Sequence, residues 1–274
     1  MKSGWSVAKG NKDAELQIIS LGMGVQSTAM YLMSSMGYKL PRADYAIFSD
    51  PQAEHQRTYK ILKWLQQWQK EHDGIPIIVN KDKNIYKDLM TKYKTGERVA
   101  SIPTRTKENN GMILRQCTSE YKIKPVIKTV RELLDLKPKQ RMRPVELWLG
   151  ISTDEIQRMK ESLLHNINYF YPLIYHNMNR TDCINFFKNN NFPVPSKSSC
   201  VFCPFHSDNF WLELKKENSA AWKMSVDIDK TIRNHPKLNE KQYLHRSCKP
   251  LDEVDLSEDQ LDMFEEECEG YCGI

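Results

Sequence analysis

Ser20-Leu21-Gly22-Met23-Gly24-Val25-Gln26-Ser27-Thr28 joins a short apolar run, residues 16–21, to a segment with helical spacing, residues 25–36. A strand that turns through small residues into a helix opens a βαβ unit. Small residues at such a turn let backbone N–H groups approach a phosphate, and a helix N-terminus favours negative charge. A tight turn with no ligand has the same composition. No Gly-Lys-Ser/Thr closes the segment, so it is not a Walker loop. It lacks the third glycine of a dinucleotide fingerprint, and the acid lies at the wrong distance.

Outward from this turn the chain keeps alternating. Residues 45–48, 75–79 and 145–150 read as strands. Residues 54–71, 84–93 and 124–136 read as helices. Strands that alternate with helices predict an α/β fold: an open, mostly parallel sheet with helices on both faces. The second half changes character. Asn179 caps a helix near 181–189, and a Pro/Ser loop, 192–199, leads into Cys200-Val201-Phe202-Cys203. Helical patterns resume over 208–217 and 219–232. The expected organisation is an α/β domain, 1–160, and a mainly helical, cysteine-containing region, 161–274, packed on it.

The 274 residues are 40% hydrophobic and 27% charged, which excludes a disordered or collagen-like chain. No run approaches the ~18 apolar residues that span a bilayer, so no membrane partner is expected. The first 17 residues are polar and carry no apolar core of a secretory signal. The expected compartment is the cytoplasm, where thiols stay reduced. There the seven cysteines point to metal or catalysis before disulfides.

Net charge is only +5, but it is unevenly spread. Residues 103–143 hold eleven Lys or Arg and four acids, while residues 251–274 hold ten acids and no base. The basic stretch is either a solvated face or a footprint for nucleotide or nucleic-acid phosphates. The acidic tail either keeps the chain soluble or covers part of that surface. His245-Arg246-Ser247-Cys248-Lys249-Pro250 is a compact basic patch that reads equally as a phosphate site or plain surface. Trp64, Trp68, Trp148, Trp211 and Trp222 occupy apolar positions and read as core, as does Cys183. No Ser/His/Asp set or glycosidase-type carboxylate pair can be argued.

The segment from Ser20 to Thr28 resembles the pyrophosphate-binding loop of the adenine-nucleotide alpha-hydrolase (PP-loop) superfamily, Ser-x-Ser-Gly-Gly-Lys-Asp-Ser-Thr. Ser20, Gly24, Ser27 and Thr28 match, and Gly22 stands where Ser is common. Val25 and Gln26 replace the usual Lys and Asp. Ser-Leu-Gly-x-Gly-Val-Gln-Ser-Thr resembles a branch of the phosphoadenosine-phosphosulfate (PAPS) reductase-like group common in phages and mobile elements. Phe48-Ser49-Asp50, with Glu54 beyond, resembles the end of the second strand, where an acid sits near ribose or metal. Residues Gly150-Ile151-Ser152-Thr153-Asp154-Glu155-Ile156-Gln157-Arg158 resemble the Gly-x-Arg-x-x-Glu-Ser-x-x-Arg segment, with Ser152 in place of the first Arg. Arg115-Gln116-Cys117-Thr118-Ser119-Glu120-Tyr121-Lys122-Ile123-Lys124-Pro125 resembles two stretches. One is Cys-Cys-x-x-x-Lys-x-x-Pro of iron–sulfur adenylylsulfate reductases. The other is Cys-Thr-x-x-x-Lys-Ile-x-Pro of sulfurtransferases that phosphorothioate DNA.

The resemblance implies an ATP-binding loop made of Ser20, Gly22, Gly24, Gln26, Ser27 and Thr28, with Mg²⁺ near Asp50. It implies that Arg115, Lys122 and Arg158 stabilise developing negative charge and that Cys117 takes part in catalysis. It also implies a 4Fe–4S cluster on Cys117, Cys200 and Cys203, with zinc as the alternative filling of the cysteine set. The fourth ligand stays open among His206, Cys248, Cys268 and Cys272. Cys268 and Cys272 read as ligands, as a C-terminal reductase nucleophile with its neighbour, or as incidental.

The leading expectation is an ATP-using, iron–sulfur-assisted sulfurtransferase acting on a nucleic acid, tRNA or DNA. The alternatives are a PAPS or adenylylsulfate reductase using Cys268, and a non-catalytic ATP-binding subunit of a mobile-element modification or defence system. A sulfur donor or a partner subunit is implied by the first and third, and a homodimer stays open.

Overall fold

A computed structural model describes residues 13–95, 97, 102–107, 116–234 and 240–256, and the statements that follow concern these. They fall into two compact units that interleave along the chain. The first takes the described residues of Met1–Ser49, Gln56–Asn80 and Lys124–Ser198. The second takes those of Asp50–His55, Lys81–Ile123 and Ser199–Ile274. The expected division at residue 160 therefore does not match the compact units.

The first unit is built on five parallel strands: β1 (Leu16–Ser20), β2 (Tyr45–Ser49), β3 (Ile77–Asn80), β4 (Val145–Leu149) and β5 (Ile167–Phe170). Their order is β3-β2-β1-β4-β5, and every neighbouring pair is parallel. Because β5 extends this sheet, the chain to Ser198 stays with it; that is why no boundary falls at 160. β4 is buried at all five positions, as expected of a strand covered on both faces, and its one charged residue, Glu146, accepts from Trp148 Nε1 at 2.7 Å.

Helix α1 (Val25–Met36) follows β1, starting at Gly24 and ending where Gly37 turns left-handed at φ 64. Helix α2 (Gln56–Glu71) buries Thr58, Leu62, Leu65 and Trp68, a helical stripe. Together with Ile19, Ala46, Phe48 and Trp148 of the sheet, Leu62, Leu65 and Trp68 form the core on one face. The alternating residues Ile18, Ile47 and Leu147 are equally buried and point to the other face. Helix α4 (Lys124–Leu133) packs on β2 and β3, where Asn80 Nδ2 donates to Thr129 Oγ1 at 2.9 Å.

The second unit is mainly helical. Helix α3 (Ile85–Thr95) buries Ile85, Leu89 and Tyr93 at four-residue spacing against helix α8 (Ser219–Ile232). After α4 and β4 the chain forms two first-unit helices, α5 (Pro172–Tyr175) and α6 (Arg180–Asn189). The Asn179 cap expected for α6 is a reciprocal capping box with Asp182. Helix α7 (Asp208–Glu217) packs on α8. The carboxylate of Asp229 accepts the Leu244 and Leu251 N–H groups at 2.9 and 3.0 Å and pairs with Arg233, tying the following segment to α8. Among the described residues no helix is long and apolar enough to cross a membrane.

Candidate functional site

In the first unit, β1 has β2 on one side and β4 on the other, so the strand order reverses between β1 and β4. Open parallel sheets bind ligands at such a point, beyond the carboxyl ends of the strands. The chain leaves β1 at Ser20 and turns through Leu21, Gly22 and Met23. The Leu21 N–H donates to the Ile47 carbonyl at 2.9 Å, which fixes the start of the turn. Met23 sits at φ 61, a region that costs a side-chain-bearing residue free energy. Its side chain is buried in the core, and that burial holds the strained turn.

Gly24 is the N-cap of α1 and offers no side chain to the first-turn N–H groups. That turn contains no acid. The N-terminal end of a twelve-residue helix is thus left with its positive pole uncompensated by side-chain capping. A Cβ placed on Gly24 would meet nothing within 4 Å, so there is open space at the cap. Ser27 Oγ donates to the Gly24 carbonyl at 3.3 Å. Thr28 is fully buried, and its hydroxyl has no hydrogen-bond partner.

The segment after β4 closes the other side. Gly150 lies against the first turn of α1: a Cβ there would stand 2.7 Å from the Ser27 N and Cα. The chain then enters a 3₁₀ turn, Thr153–Arg158. Gln26 Nε2 reaches Ser152 Oγ and Glu155 Oε2, both at 3.4 Å. Arg158 Nη1 pairs with Glu155 Oε1 at 2.8 Å. Ser20, Gly22, Gly24, Gln26, Ser27, Thr28 and Arg158 therefore all belong to one unit around one turn. The arrangement can hold an anion by backbone N–H groups, with a guanidinium beside it. The role of Glu155 and the Gly150 approach were missed from sequence, although the i,i+3 spacing of Glu155 and Arg158 signals an ion pair.

In the second unit, Cys117, Cys200 and Cys203 line one cavity of about 40 Å³, with Ile85, Ile102, Tyr121, Phe202 and Phe205 among its apolar walls. Cys200 and Cys203 sit on a tight turn closed by the Cys203 N–H to the Cys200 carbonyl at 3.0 Å. Residue Cys200 bridges to Glu54, and the Val201 N–H donates to the Ala53 carbonyl at 2.8 Å. Cys117 opens a helical turn that runs on as a π-helix, Ser119–Ile123, a rare geometry found often at functional sites. That turn places Tyr121 and Lys122 on the same cavity wall. Lys122 Nζ pairs with Glu54 at 3.1 Å, and the Glu54 side chain is fully buried. The Tyr121 hydroxyl donates to Asp88 Oδ2 at 2.8 Å, and burial pushes its pKa upward.

Asp50 follows β2 and groups with the second unit. Its Oδ1 accepts the Gln52 N–H at 2.7 Å. The His206 ring bonds the Cys200 carbonyl through Nε2 at 2.8 Å and stacks on Phe210. Cys248 is not among the residues lining the cavity. Arg115, Cys268 and Cys272 lie outside the described residues. The five described cysteines are thiols, not disulfides. Among the described residues no group of three or more His, Cys, Asp or Glu is placed to hold a metal ion. Three sulfurs on apolar walls are nonetheless the donor chemistry of an iron–sulfur cluster.

No protein-family model matches the chain. No curated protein matches it either. Among solved structures, it is similar to a phosphoadenylyl-sulfate (PAPS) reductase from Candida auris in a phosphate complex. The two share 12% identity at a TM-score of 0.41, over 68% of this chain and 76% of the other. Similarity at that level carries no inference about this chain's chemistry.

Proposed function

We propose that the chain is an ATP-using sulfurtransferase that activates an oxygen of a nucleic-acid acceptor as its adenylate and replaces it with sulfur. The observation that carries this reading is the uncapped α1 N-terminus at Gly24, facing open space at the reversal of the strand order. Backbone N–H groups at that helix start would hold the pyrophosphate of ATP. Arg158 would stabilise the negative charge that develops on the phosphoryl oxygens. Mg²⁺ would neutralise the phosphates.

The acceptor oxygen attacks the α-phosphorus. The bond to the β-phosphate oxygen breaks, and pyrophosphate leaves with the electron pair. The acceptor oxygen is now part of a good leaving group. Sulfide, delivered by a donor, bonds to the acceptor atom as AMP departs with that oxygen. Cys117, Cys200 and Cys203, which line one cavity, would have to draw together to hold an iron–sulfur cluster, whose chemistry there would be to relay sulfide. Lys122, next to them on the cavity wall, and Arg115 would stabilise the anionic sulfur.

A second reading, a nucleotide-binding subunit without turnover, is favoured by Gln26. Its amide replaces a carboxylate of the resembled loop and is engaged by Ser152 and Glu155. One experiment separates the readings: anaerobic protein is incubated with ATP and tRNA or DNA, and nucleotide binding and pyrophosphate release are measured. Acceptor-dependent pyrophosphate is expected. Binding without release moves the function to the second reading. No binding up to about 1 mM ATP, the upper end of ordinary enzyme affinities, overturns both.

A further inference from the structure

We propose that Glu155 is an internal rival of the nucleotide, holding the donors that a polyphosphate must take from it; this rests on the nucleotide reading above. Both oxygens of the carboxylate are in use, and by different partners. Oε1 takes Arg158 Nη1 at 2.8 Å. Oε2 takes the Gln26 amide at 3.4 Å. Gln26 lies in the first turn of α1, where the orphan N–H groups gather. The two donors held by Glu155 thus stand beside the place where a phosphate would be drawn.

The side chains of Arg158 and Glu155 are only 16% and 23% exposed, so salt screens the pair weakly. Glu155 departs from helical geometry inside its turn, at φ −115 and ψ 23. The carboxylate stands between Gln26, the second residue of α1, and Arg158, three residues ahead in its own segment. A single negative charge meets in Glu155 an equal competitor for Arg158. A pyrophosphate or triphosphate carries several charges and more acceptor oxygens, and a guanidinium prefers such multidentate partners. Glu155 therefore sets the charge a ligand must bring before Arg158 and Gln26 turn to it.

The test is equilibrium binding of ATP and of pyrophosphate to the whole chain. Glu155→Gln keeps the size and an acceptor oxygen but removes the charge. It is expected to bind both ligands about tenfold more tightly, a gain of about 1.4 kcal/mol. Glu155→Ser is the second variant and should shift in the same direction. In an Arg158→Gln background the gain should shrink to about threefold or less, since the guanidinium is what Glu155 withholds. A side chain that merely supports the turn would give weaker binding on removal. Unchanged or weaker binding by both Glu155 variants, with wild type binding normally, overturns the proposal. Binding of neither ligand by wild type or variants overturns the nucleotide reading and this proposal with it.

Discussion

A Cβ on Gly150 would lie 2.7 Å from both the backbone nitrogen and the Cα of Ser27, so the residue after β4 is glycine because the first turn of α1 occupies the space of any side chain. This approach joins the two segments that frame the crevice. The obstructing atoms are backbone, which cannot rotate away. Gly150→Ala must therefore push α1 from β4. The expected cost is roughly 1–3 kcal/mol of stability, typical of overpacking, together with a loss of ATP affinity. Gly24→Ala is the control, because its Cβ meets nothing within 4 Å. Thermal unfolding of the two variants checks this, and equal melting temperatures would contradict it.

The Thr28 hydroxyl is buried without a partner, and an unsatisfied buried polar group costs about 1–3 kcal/mol. Thr28→Val keeps the shape and removes that group. Stability without nucleotide should rise by about 1 kcal/mol, and ATP affinity should fall if the hydroxyl serves the phosphates. Urea unfolding and ATP titration of the same variant read the two effects separately. A gain in stability with unchanged affinity would assign the hydroxyl no part in binding.

The first unit was largely legible in the sequence, because its signals are local. Helix α1 spans the residues expected of it, since Gly24 and Gly37 punctuate both ends. Strand β5 was not foreseen. Ile167–Phe170 has four residues, with only the end two buried, too short a pattern to stand out. The interleaving of the units was also hidden. Residues 81–123 leave the sheet unit because α3 packs on α8, a pairing between segments more than a hundred residues apart. In the candidate sites, resemblance singled out the loop and spacing singled out Cys200-x-x-Cys203 as candidates. The roles of Glu54, Glu155 and Gly150 depend on neighbours distant in sequence, which no periodicity encodes.

The cysteines should separate by reactivity. Burial pushes the Cys183 thiol up to about 12, so it stays protonated and sits in the core. Cys117, Cys200 and Cys203 line a cavity instead. Iron, sulfide and zinc are to be measured on protein purified without oxygen. Iron with matching sulfide and broad absorbance near 400 nm is the expected result, lost in Cys200→Ser and Cys203→Ser and kept in Cys183→Ser. One zinc and no iron would make the cavity cysteines structural.

The stability of the second unit should fall as pH drops below the ordinary histidine range, through His245. This ring is almost fully buried. Nε2 bonds Asp208 Oδ1 at 2.8 Å, while Nδ1 receives the Ser247 N–H at 3.1 Å. Nδ1 also meets the Ser247 Oγ at 2.8 Å, and a hydroxyl can donate as the N–H does, so both contacts suit a neutral ring with its proton on Nε2. Burial lowers its pKa below 6.5, Asp208 partly offsets this, and Arg246 and Arg105 add to the lowering. The unfolded chain then takes up the proton first. The contribution of His245 is fully present above pH 6.5 and is lost as pH falls through the lower folded value. One proton gives a slope of at most about 1.4 kcal/mol per pH unit. His245→Gln keeps a donor for Asp208 but does not titrate. Urea unfolding of wild type and variant from pH 7.5 to 5.5 should show a slope in wild type that flattens in the variant. His176, whose pKa burial also lowers, contributes a slope of the same sign in the first unit. An undiminished slope in His245→Gln would show that the folded chain binds the His245 proton at least as readily as the unfolded chain, contradicting the lowered pKa.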